Sequence, residues 1–188
     1  MKTPPDPRSQ LVADLLARPA SPQAAADPLR PVLASVLAGR CLQQGVLSAT
    51  LGLSATAFQT LCDAYFPGAL LAMPDAPVRE LFELDDLHQL LLRYRAHQRV
   101  SEIWLAEIVA HACGGRDHLW QDLGLAHRGE LSSLMRLAFP ALASLNVHDM
   151  KWKKFIYRQY CSVEGIHVCP APSCGECAER TQCFAPED

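Results

Sequence analysis

The chain has 188 residues, 49% hydrophobic and 20% charged, with a net charge of −3. That is enough apolar chain to bury a core in one or two domains, and it supplies no global basic field for nucleic acid. Eight cysteines are present, five of them between Cys161 and Cys183. The N-terminal MKTPPDPRSQ carries no apolar signal region, and no apolar run nears the about 18 residues that cross a membrane, so the expectation is a cytoplasmic protein whose cysteines serve metal or redox chemistry.

Residues 1–30 hold six of the fourteen prolines and read as a loose leader, with a short helix near Ser9–Ala17 capped by Ser9. Pro31 suits a first helical position, and a helix is expected from there toward Gly45. Ser54 caps a helix ending at Phe66, ahead of Pro67, and Pro67–Pro77 is a three-proline connector. Leu84, Leu87, Leu91 and Tyr94 recur at helical spacing. Ser101 caps the next helix, whose stripe is Leu105, Ile108, Val109 and Ala112, and Gly114-Gly115 stops it. Leu131, Leu134, Met135 and Ala138 form another stripe, closed by Pro140. A last helix is expected over Asn146–Tyr160, with Trp152, Phe155, Ile156 and Tyr160 on one side. Every strong period lies near 3.6 and none near 2. The fold expected is all-α: a single helical bundle of about six to seven helices over residues 31–165, followed by an irregular cysteine-rich tail over 166–188.

The tail has no apolar face, so hydrophobic burial does not order it. It reads Cys169-x4-Cys174-x2-Cys177-x5-Cys183. Structural zinc is usually held by two paired knuckles, and only one tight pair is present here. An iron–sulfur cluster takes one cysteine per iron corner and accepts short, unequal gaps from one wrapping loop. The spacing therefore favours an iron–sulfur cluster, with zinc and redox-paired thiols as the alternatives.

Lys151, Lys154 and Arg158 fall at i, i+3, i+7, and Lys153 borders the apolar stripe; residues 148–160 carry a net +3, against −4 for residues 161–188. A solvated face is the ordinary reading of such a run. Beside a thiolate-ligated cluster it also offers a seat for an oxyanion or an acidic partner. Cys113 and His118 flank the Gly114-Gly115 turn, and Cys161 ends the basic helix, so these three are candidate additional metal ligands beside their plainer roles as a buried thiol, a helix-start residue and a packing residue. His111 and His167 are weaker candidates. Cys41 and Cys62 read as core, the three tryptophans as packing, and Asp122 and Glu130 as caps or surface charges.

The segments His118-Leu-Trp-Gln-Asp-Leu-Gly-Leu, Arg128-x-Glu130-Leu131, Phe139-Pro140 and Met150-Lys-Trp-Lys-Lys-Phe-Ile-Tyr-Arg158, with the four-cysteine tail, together resemble the NifQ family. The resemblance covers roughly residues 100–185. It implies a carrier rather than an enzyme: a cytoplasmic iron–sulfur protein that binds molybdenum and donates it for assembly of the nitrogenase iron–molybdenum cofactor. The implied ligands are Cys169, Cys174, Cys177 and Cys183 on an Fe4S4 or Fe3S4 type cluster. The implied partners are the cofactor scaffold complex, the nitrogenase iron protein and a molybdate source, with no nucleic acid and no membrane. Two other readings stand beside it. One is a zinc-stabilised helical interaction module without metal transfer. The other is a DNA glycosylase ending in a four-cysteine cluster, which the negative charge and the lack of a helix–hairpin–helix segment disfavour.

Overall fold

The computed structural model describes residues 6–71, 81–163, 165 and 180–185. Among these residues every regular element is a helix. Seven helices run ten residues or more: α1 (Pro7–Leu16), α3 (Arg30–Cys41), α4 (Ala55–Tyr65), α5 (Leu84–Arg93), α6 (Ser101–Cys113), α8 (Arg128–Ala138) and α10 (Trp152–Val163). Four single-turn pieces link them: α2 (Pro22–Ala25), α7 (Leu119–Asp122), α9 (Pro140–Ser144) and α11 (Arg180–Phe184). None of the described helices is long and apolar enough to cross a membrane.

Two helices form the centre. From Val32 to Arg40 every residue of α3 is buried, and α6 buries Trp104, Leu105, Ile108, Val109 and Ala112 on all sides. A helix apolar all round belongs inside a bundle. The amphipathic helices cover this centre: α1 packs on α3, α5 on α6 and α10, and α8 on α6, α7 and α9. One contiguous apolar core results, from Leu15 to Ile156.

Several boundaries follow the punctuation of the sequence. The Ser54 hydroxyl accepts from Ala57 N at the start of α4, α6 stops at Gly114, and Pro140 opens α9 after Phe139 breaks α8. Others differ. Asp6, not Ser9, caps α1, accepting from the Arg8 and Ser9 amides at 3.0 and 3.1 Å. Ser101 is the first residue of α6 rather than its cap, and its hydroxyl donates to Asp27 at 2.6 Å. The third helix ends at Cys41, where Gln43 turns left-handed. The Pro67–Pro77 connector lies largely outside the described residues.

The leader is not loose from residue 6 onward. Leu15, Ala24 and Leu29 are in the core. Arg8 donates to the Ser35 carbonyl and hydroxyl at 3.2 and 3.1 Å and to Gln44 and Gly124. Asp27 is buried and accepts from Leu29 N, Tyr65 Oη and Ser101 Oγ at 2.9, 2.6 and 2.6 Å. Proline content signalled loop, but long-range polar partners decide the packing.

The start of α10 also differs. Residues 146–151 form a turn instead of helix. Asn146 bridges to Met150 in both directions at 2.9 Å, and Asp149 sits at φ +52. Arg128 holds Asp149 with two parallel bonds of 2.8 Å. Lys151 therefore precedes α10 rather than lying on its i, i+3, i+7 face.

Candidate functional site

The basic stretch meets the end of the described chain at one place. Gly165 follows the C-terminal end of α10, and α11 returns to its N-terminal end, where Lys151 N donates to the Cys183 carbonyl at 2.9 Å. Cys183 and Phe184 are partly buried against the core. The last tail cysteine is thus anchored beside the first lysine of the basic stretch. Cys169, Cys174, Cys177 and His167 lie outside the described residues.

Beside this junction is an open cleft of about 640 Å³, lined by Arg116, Asp117, His118, Leu119, Gln121, Lys151, Lys153, Lys154 and Gln182. Three segments build it: the turn from Gly114 into α7, the start of α10, and α11. His118 is the N-cap of α7, and its amide donates to Gln121 Oε1 at 3.1 Å. The histidine is thus a helix-start residue that also faces the cleft.

Lys153 forms the floor. Its ammonium donates to the Gly115 and Asp117 carbonyls at 3.1 and 2.8 Å and to Asp122 Oδ2. Asp122 is 0% exposed, so this is a buried ion pair tying α7 to α10, not a surface charge. Gly115 is required for it: a Cβ there would lie 2.1 Å from the Asp122 carboxyl carbon. With three acceptors engaged, Lys153 holds the cleft together while its charge is balanced within the wall. Glu130 likewise is no idle surface charge, since it accepts from Ser35 Oγ and Ala126 N, both at 2.8 Å.

Cys113 lies behind this floor, 3% exposed in the core. Burial, partly offset by Lys153, pushes its thiol up to about 12. In this setting the thiol packs as a small apolar side chain. The carbonyls of the turn that separates Cys113 from His118 hold Lys153. Cys161 is half-buried on α10 and contributes to raising Tyr157. Arg158 is exposed and does not line the cleft. His111 packs on Gly52, distant in the chain from the tail, and burial lowers its pKa. Among the described residues no three His, Cys, Asp or Glu side chains converge as a metal site.

The structure adds Arg116, Gln121 and Gln182 to the residues anticipated at this face. Arg116 had a sequence signal, since it stands between the diglycine and His118 in the very turn already singled out. Gln182 had only its place next to Cys183.

The NifQ family model matches residues 32–185. Protein NifQ of Rhodobacter capsulatus is 39% identical over 163 residues, covering 86% of this chain and 91% of that protein. Protein NifQ of Azotobacter vinelandii is 48% identical over 105 residues, covering 56% of this chain and 54% of that protein, so the match spans about half its length. Protein NifQ of Klebsiella pneumoniae is 52% identical over 81 residues, covering 43% of this chain and 48% of that protein. No solved structure matches.

Proposed function

The chain belongs to the NifQ family, and on that premise we propose that it is a carrier that binds molybdenum and donates it for assembly of the nitrogenase iron–molybdenum cofactor. The observation that carries the reading is the docking of the Cys183 segment on Lys151, at the mouth of the cationic cleft. Cys183, one of the four proposed ligands, and a cationic surface then share one end of α10. Cys169, Cys174, Cys177 and Cys183 would hold an iron–sulfur cluster, which supplies soft sulfur donors for the molybdenum cargo. The described surroundings suit such a group, because the segment bearing Cys183 packs beside the basic stretch, at Lys151. Nothing in the reading requires turnover. The cofactor scaffold complex and the nitrogenase iron protein are the partners this function requires.

Anaerobic purification followed by iron, sulfide, molybdenum and zinc analysis, with EPR, tests the reading. The expected result is iron and acid-labile sulfide in the wild type and their loss in C174A and C183A variants. Zinc without iron would instead establish a structural zinc module and overturn the carrier.

A further inference from the structure

We infer that the cleft between the Gly114–His118 turn, the start of α10 and α11 is a docking site for a dianionic tetrahedral oxyanion that does not depend on the cysteines. This rests on the carrier reading only for the identity of the oxyanion as molybdate; the site itself rests on the cleft.

The charge arithmetic of the wall selects the ligand. Lys153 is neutralised by Asp122. No carboxylate among the described residues pairs with Arg116, Lys151 or Lys154, and the one acidic side chain on the lining is Asp117. Among the described residues, three cations against one carboxylate leave about two positive charges on the lining, which match a dianion and overmatch a monoanion. His118, Gln121 and Gln182 add side chains of a kind able to donate hydrogen bonds. Leu119 is the one aliphatic side chain on the described lining, which holds no phenylalanine, tyrosine or tryptophan. Protein partners are usually anchored by such side chains, so this wall suits a small hydrated anion better. The cavity is several times larger than such an ion, which suits loose, exchangeable binding near Gln182, the residue before Cys183.

The lysine and arginine positions do not share one role. Lys153 is buried structure. Arg116, Lys151 and Lys154 are the ligand-facing cations, and Arg158 takes no part in the lining.

Equilibrium dialysis of labelled molybdate against the full chain tests the inference, with the wild type compared to a variant in which Cys169, Cys174, Cys177 and Cys183 are all serine. One molybdate per chain is expected to bind both, about equally, with affinity falling as ionic strength rises. R116Q and K154Q are each expected to weaken binding about tenfold, and R136Q, on the exposed face of α8, to leave it unchanged. Sulfate competes, and the monoanion perchlorate competes at least tenfold less well. Circular dichroism confirms that each variant keeps its helical content. Binding that vanishes with the cysteines, or that ignores both R116Q and K154Q, overturns the inference. Molybdate binding to a protein that never holds iron would sink the carrier reading and leave this site standing.

Discussion

Asp122 sets the shape of the cleft floor. One carboxylate oxygen takes Lys153, the other is buried without a hydrogen-bond partner, and any side chain at Gly115 would collide with both. Such a pair contributes little net stability when intact, yet removing one partner strands a charge. K153M strands the buried Asp122 carboxylate and is therefore expected to cost about 3 kcal/mol in urea denaturation, more than D122A, which leaves the partly exposed Lys153 its bonds to the Gly115 and Asp117 carbonyls. His111 gives a second residue-scale outcome. Its ring fills the space above Gly52, and burial holds its pKa below the ordinary 6.5. The unfolded chain takes up a proton near pH 6.5 that the folded chain refuses, so stability is full above that pH and falls as the pH drops through and below it. H111Q is expected to flatten this acid limb between about pH 7 and 5.5 in a series of urea midpoints. An unchanged slope would show that another group governs the limb.

At the scale of elements, Asp27 ties together segments far apart in sequence. Tyr65 of α4 and Ser101 of α6 both donate to it at 2.6 Å, and Arg99 lies 3.6 Å away. D27A leaves two buried hydroxyls without their acceptor and is expected to destabilise by about 3 kcal/mol, with D27N closer to the wild type; differential scanning calorimetry separates them. The helices that were legible in the sequence are those whose ends are written locally. Ser54, Gly114 and Pro140 each mark a boundary by their own backbone chemistry. The start of α10 was illegible because its stop signal is Arg128, which fixes Asp149 from 21 residues away. The leader was misread for the same reason, since Asp27 and Arg8 show their partners only after folding. At the site, the basic stretch and His118 were visible from spacing and motif, whereas the neutralisation of Lys153 depends on a contact 31 residues distant.

For the whole molecule, the leader is part of the core, and its removal is expected to be felt globally. A chain beginning at Pro31 loses the buried Leu15, Ala24 and Leu29 and the Arg8 and Asp27 bonds. Two leucines alone are worth about 3–6 kcal/mol, which lowers the melting temperature by about 10 °C or more in a protein of this size. A truncated chain melting within about 2 °C of the full one would show that the leader's packing contributes nothing. The bond from the Lys151 amide to the Cys183 carbonyl has a consequence of another kind. It makes one backbone proton at the foot of α10 answerable to the position of a tail cysteine. Deuterium uptake at that amide then reads the seating of α11 from the helix side: slow while α11 is docked, and faster whenever it lifts away.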